Sequence, residues 1–150
     1  MNATHAEPIR VFLSYAGDDA PMAHRLAEAL EAQGLEVQSD WKIPADGQWR
    51  ERLGELLEQS PNIVLLFTPT ALTSRWANFE MGVALGRAHR SPALRIVPVL
   101  VGVASERLPA FVRSRNHLVR TDAEHLDEAG SLIVRQLLQD EAGEPSSPAG

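Results

Sequence analysis

Apolar and polar positions change their period several times along the chain, and each change predicts an element. Ile9 to Ser14, IRVFLS, is a short β-branched and aromatic run and predicts a first strand. Asp18 or Asp19 is placed to cap a following helix, with Pro21 near its first turn. Met22, Leu26, Ala29 and Leu30 then recur at helical spacing, and Gly34 ends that helix. Leu35 to Ser39 alternates and predicts a second strand. Asp40 to Gly47, DWKIPADG, holds Pro44 and Gly47 and predicts a loop. Trp49, Leu53, Leu56 and Leu57 mark a second amphipathic helix. Asn62 to Thr68, NIVLLFT, is apolar on both faces, as a central parallel strand is, and Pro69 stops it. Ser74 to Arg90 predicts a third helix, with Trp76, Phe79, Val83 and Leu85 among its apolar positions. Leu94 to Val101 predicts a fourth strand. Pro98 inside it requires a place whose N–H is not needed, near a strand end or a bulge. His117 to Arg120 predicts a short fifth strand, and Asp122 opens a last helix to about Asp140.

Strands alternating with helices predict a parallel sheet covered on both faces. For five strands the expected architecture is a doubly wound α/β sheet of order 2-1-3-4-5. In that order the connections leaving strands 1 and 3 diverge, and a ligand crevice opens at the carboxyl ends of the strands. Tyr15 to Asp19 and Pro69 to Glu80 are expected to line it.

Composition narrows the function. The 150 residues carry 20 acidic and 14 basic side chains, a net charge of −6, which speaks against direct nucleic-acid binding. No cysteine is present, so disulfide scaffolds, cysteine nucleophiles and thiolate metal sites are excluded. The longest apolar run, Ile63 to Phe67, is far short of a membrane span, and the N-terminus lacks a signal-peptide pattern. The expectation is a cytoplasmic domain over 9–140. Polar tails would flank it at 1–8 and 141–150, the second being disordered or the start of a linker.

The chemistry common on such sheets is mostly missing. A phosphoacceptor Asp is absent where the third strand ends, Thr68-Pro69. SYAGDDAP has one glycine where a dinucleotide fingerprint needs three. No Walker A loop and no G-x-S-x-G elbow occurs. The five histidines have no ligand spacing, so no metal site is expected. What remains is Trp76-Ala77-Asn78-Phe79-Glu80. Trp76 and Glu80 are four apart and share a helix face near the crevice. Periodicity alone favours the plainer reading, in which Trp76 is core and Glu80 is a solvated or N-terminal-turn carboxylate stabilised by the helix dipole.

Three segments carry a resemblance. IRVFLSYAGDD, LEVQSDWKIPADGQWRERL and LLEQSPNIVLLFTPTALTSRWANFEMGVAL occur in the order and spacing of the TIR (Toll/interleukin-1 receptor/resistance protein) family, from Ile9 to about Asp140. They resemble its first box, its second strand with the BB loop, and its stretch ending in W-C-x-x-E. Ala77 replaces the usual Cys, Thr68 and Leu72 stand where Ser and Tyr are common, and Ala16 stands where some enzymatic members have Arg. The C-terminal F-W box is not evident. The compact, Ala/Arg-rich chain looks like a bacterial member.

The resemblance implies a flavodoxin-like fold and cleavage of NAD+ at the nicotinamide–ribose bond. NAD+ would be substrate, with no cofactor. Glu80 falls at the catalytic glutamate. Trp76 would shape the site beneath it, and Trp49 matches an aromatic that stacks on a base of the substrate. Tyr15, Ala16, Asp40, Lys42 and Gly47 fall among the substrate-contacting positions. Trp49 as a helix-anchoring core residue and Lys42 as a solvated loop charge are the competing readings. The resemblance also implies self-association through the BB loop, Asp40 to Gly47, where Trp41 and Ile43 offer apolar contacts, and clustering by a sensor domain or partner. The role implied is a hydrolase or cyclase acting as effector or signal generator in antiphage immunity. The alternative is a non-enzymatic TIR–TIR interaction module, an adaptor or virulence mimic.

Overall fold

The computed structural model describes residues 8–42, 48–78, 82, 86, 90, 94–108 and 118–141. Among these, the side chains of 49, 50, 57, 77, 78 and 139–141 are outside the description. Five parallel strands pair in the order β2-β1-β3-β4-β5. They are β1 (Arg10–Ser14), β2 (Glu36–Ser39), β3 (Asn62–Phe67), β4 (Arg95–Val101) and β5 (Val119–Thr121). The helices are α1 (Ala20–Ala32), α2 (Trp49–Gln59), α3 (Pro69–Leu72), α4 (Arg75–Asn78) and α5 (Leu126–Glu141). The expected doubly wound order is therefore the observed one.

Residue alternation divides the core into two layers, because successive strand side chains face opposite ways. Val11 and Leu13 of β1, Val64 and Leu66 of β3, and Val97 and Val99 of β4 face α1 and α5. Phe12, Ile63, Leu65, Phe67, Ile96 and Leu100 face the other way, against Leu53 of α2, Ala71 of α3 and Trp76 of α4. β3 is buried at every position, as its uninterrupted apolar run predicts. The apolar stripe of α1 is Ala23, Leu26, Ala27 and Leu30. Gly34, at φ +93°, makes the reversal from α1 into β2, a backbone region that suits glycine.

The structure departs from the pattern-based reading at three places. Asp19 is the residue before α1, but its side chain makes no capping hydrogen bond. Pro69 opens the short helix α3, which the sequence reading missed. Thr68 caps it by accepting from the Ala71 N–H, an arrangement in which proline suits the first turn. Pro98 is at neither a strand end nor a bulge, since β4 pairs with β3 without interruption from Asn62↔Arg95 to Phe67↔Leu100. Pairing with β5 begins only at Val99↔Val119, so among the described residues Pro98 is outside that ladder. Asp122 does open the last helical segment, accepting from the Glu124 and His125 N–H groups. Its first turn is 3-10, Ala123–His125.

Gly47, Glu80, His117, Ile43 and the expected tails at 1–7 and 142–150 lie outside the described residues, while Glu141, expected in the second tail, is the last residue of α5. So does most of the third predicted helix beyond Asn78, although residues 82, 86 and 90 are helical.

Candidate functional site

The site grows from the carboxyl ends of β2, β1 and β3, where side-chain hydrogen bonds join neighbouring segments. Ser39, the last residue of β2, donates its hydroxyl to the Leu13 carbonyl at 2.6 Å. Ser14, the last residue of β1, is fully buried, and its Oγ accepts from Trp76 Nε1 at 2.7 Å. The next residue, Tyr15, is buried and donates its hydroxyl to Asp40 Oδ1 at 2.6 Å. Asp19 Oδ2 accepts from the Thr68 hydroxyl at 2.5 Å, tying the turn after β1 to the end of β3. The segments after strands 1 and 3, expected to line one crevice, are thus bonded to each other twice.

Trp76 is 5% exposed and meets Phe67 edge-on, with ring centroids 5.3 Å apart and planes at 80°. The edge-to-face arrangement is the favourable one for two quadrupoles. The indole is therefore a core residue that also carries a directed polar contact. The structure shows the core reading of Trp76: its body packs in the layer with Phe67 and its N–H fixes its rotation. Tyr15 and Asp40 are brought together as a hydrogen-bonded pair, a link the sequence did not reveal.

Ala16 and Lys42 are placed elsewhere. Ala16 is 1% exposed and packs in the layer that holds Phe12, Phe67 and Trp76. Lys42 Nζ donates to the Val37 carbonyl at 2.5 Å and lies 3.5 Å from Glu31 Oε2. Val37 belongs to β2, the outer strand, so Lys42 covers a sheet edge; lysines commonly protect such edges. Trp49 opens α2, directly after Gln48.

Two contacts escaped the sequence reading. Trp41, expected as an apolar docking contact, stacks on His24 of α1, with centroids 3.9 Å apart and planes at 27°. It also lies 5.5 Å from the Tyr15 ring, so its apolar surface is partly spent within the chain. Asp19 looked like a helix cap, and no local pattern marks it as buried. A helix-capping position five residues after a strand end, next to a second acidic residue, is the only signal, and it is weak.

Titration is perturbed at one surface pair. His125 Nδ1 is 2.6 Å from Asp122 Oδ1. That hydrogen bond holds the Asp122 carboxyl below its usual range and raises His125 above its own. Glu124 joins them in an exposed trio whose ligand-type atoms lie within 4.8 Å of one another. Asp122 is already engaged as the cap, which accounts for the geometry. Among the described residues, no helix is long and apolar enough to cross a membrane.

Comparison with known proteins agrees with this architecture. A family model described as "TIR domain" matches residues 11–137. A stimulator of interferon genes protein from Magallana gigas is 28% identical over 114 residues, which cover 73% of this chain and 27% of that protein. The structure of a metazoan TIR-STING receptor from C. gigas superposes with a TM-score of 0.67 at 23% identity, covering 99% of this chain and 44% of that one. The heterodimer of the RPS4 and RRS1 TIR domains gives 0.61 at 16% identity, covering 86% of this chain and 95% of the matched one. The chain thus spans about a quarter of the curated relative's length and under half of the receptor chain's.

Proposed function

The chain belongs to the TIR-domain family, and from that premise we propose that it cleaves NAD+ at the nicotinamide–ribose bond, with Glu80 as the essential carboxylate. One observation carries the reading. Trp76, four residues before Glu80 in sequence, is locked at the carboxyl end of the sheet by its bond to Ser14. That end of a doubly wound sheet is where ligands bind.

The chemistry needs little beyond one carboxylate. The nicotinamide ring of NAD+ is cationic. When the C1′–N bond breaks, the electron pair leaves with the ring and the product is neutral. No general acid is required, unlike ordinary glycosidases with their two carboxyl groups. The ribosyl left behind is oxocarbenium-like, and Glu80 stabilises its developing positive charge. Water then captures it to give ADP-ribose, or a group of the same molecule captures it to give a cyclic isomer. Trp76 forms the floor, Trp49 offers a stacking face for a base, and the bonded pair Tyr15–Asp40 forms part of the wall with Gly47. Ala16 and Lys42 are left out of this set because of where their side chains lie. The biological role that follows is an effector or signal generator in immunity, antiphage immunity if the source is bacterial.

Glu80→Gln tests the reading. Removing one preorganised electrostatic group costs on the order of a hundredfold or more in rate. Nicotinamide release from NAD+ by the variant is expected to fall by that factor, with an unchanged melting temperature. Release within about tenfold of wild type would sink the assignment. Similarity to a TIR–TIR heterodimer favours the second reading, a non-enzymatic interaction module. That reading prevails if the wild type releases no nicotinamide and still self-associates.

A further inference from the structure

We propose that Asp19 and Thr68 are positioning residues, a clamp that sets Trp76 and the segment following it for the reaction. This rests on the NAD-cleavage reading above and adds two residues to it. Among the described residues, Asp19 is the only buried side chain of a charged type, at 7% exposure. An acidic group out of water is costly unless it is hydrogen-bonded. Its one side-chain partner there is the Thr68 hydroxyl, itself 2% exposed.

The bond is one link of a relay. The Ala71 N–H donates to Thr68 Oγ1 at 3.0 Å, and Thr68 donates onward to Asp19. Ala71 lies in α3, whose chain runs through Ser74 into α4 and Trp76. The Ser74 hydroxyl donates to the Ala71 carbonyl at 2.8 Å, so the link continues toward α4. On the other side, the Asp19 N–H donates to the Ala16 carbonyl at 2.8 Å, anchoring the carboxyl group to the turn directly after β1. Two bonds therefore span the same gap, Asp19–Thr68 at the start of the β3-following segment and Ser14–Trp76 further along it. The Ser14 bond holds the indole; the Asp19 bond holds the point where the segment begins. A displacement of about 1 Å at a reacting group costs on the order of a hundredfold in rate. A buried acidic group spent on such a contact, and on no other side chain there, is better explained by orientation than by stability.

The test pairs an exchange measurement with kinetics on the intact chain. Thr68→Val removes the hydroxyl at nearly constant volume, and Thr68→Ser restores it. Hydrogen exchange of the Trp76 indole N–H is followed by NMR, assigned among the three tryptophans by Trp→Phe substitution. Opening of the clamp is expected to speed that exchange by about tenfold or more in Thr68→Val, with the Val11 amide of β1 unchanged. In the same variant kcat for nicotinamide release is expected to fall about ten- to a hundredfold with KM little changed, and Thr68→Ser recovers both. If Thr68→Val does not fold, Asp19→Asn weakens the same bond by exchanging a carboxylate for an amide acceptor, and is read in the same way. Unchanged indole exchange in a folded variant overturns the clamp. Faster exchange with unchanged kcat overturns its positioning role. A wild type that releases no nicotinamide, with the exchange result intact, sinks NAD cleavage and the catalytic half of this proposal while the clamp stands.

Discussion

Trp49 is the residue at which a stacking role and a packing role make opposite demands. It is the first residue of α2, two positions after Gly47 in the sequence. If it stacks on a base of NAD+, truncation removes about 1–3 kcal/mol, the worth of a base–aromatic stack in single-stranded nucleic-acid sites. Trp49→Ala is then expected to lower kcat/KM roughly ten- to a hundredfold at nearly unchanged melting temperature, with Trp49→Phe recovering much of it. A core role predicts a stability loss of about 3–5 kcal/mol for the same truncation. Steady-state kinetics beside thermal unfolding distinguishes the two. Trp76 shows why single residues resist assignment from pattern alone. Its periodicity says core, its place in the resemblance says site, and its buried ring with a bond to Ser14 shows the first.

At the scale of elements, α1 and α5 approach most closely where Gly130 faces Ala29. A Cβ built on Gly130 would meet the Ala29 Cβ at 2.9 Å and its carbonyl carbon at 3.3 Å. Backbone is involved, so the helices would have to part. Gly130→Val is expected to destabilise the fold by about 1–3 kcal/mol, measured by urea unfolding. Gly54 in α2 has nothing within 4 Å of such a Cβ, and Gly54→Ala is expected to stabilise by about 0.5–1 kcal/mol through helix propensity alone. Equal effects at the two glycines would contradict the close approach. The entrance to α5 carries the pH dependence. His125 binds its proton more tightly when folded, so its contribution is complete below its ordinary 6.5 and is lost as pH rises through the elevated folded value. Asp122 is shifted down, so its contribution is complete above its ordinary 3.8 and is lost as pH falls through the lowered one. Stability from this pair is therefore greatest between about pH 4 and 6.5, and small, because both groups are exposed. An NMR titration of His125 checks it, and Asp122→Asn is expected to move the midpoint back down.

For the whole molecule the consequential question is whether one chain suffices. The proposed BB-loop association would make activity a property of the assembly. Turnover per subunit is then expected to rise with concentration over about a hundredfold range, as mass action requires for an oligomer. A constant turnover across that range would count against it. Trp41 is stacked on His24 and packed near Tyr15, which leaves less of that ring for such a contact. Lys42, turned back to Val37 and Glu31, likewise serves the chain's own sheet edge.

Much of the fold was legible in the chain itself because burial imposes period. A run such as NIVLLF has both faces apolar only if helices cover both sides of its strand, and alternation of strands with amphipathic helices leaves a doubly wound order as the economical solution. The order and spacing of three segments pointed to the family, and Trp76 with Glu80 to a candidate chemistry. Tertiary structure decided which polar side chains meet. Thr68 and Asp19 are 49 residues apart, Ser14 and Trp76 are 62 apart, and Tyr15 and Asp40 are 25 apart. No local period encodes such pairs, because a hydrogen bond needs donor and acceptor placed within a few tenths of an ångström, and that placement comes from how the sheet brings distant strand ends side by side. The same holds for Lys42 and Trp41. Composition makes one a solvated charge and the other an exposed apolar contact, and only the packed chain offers them a carbonyl at the sheet edge and an imidazole face.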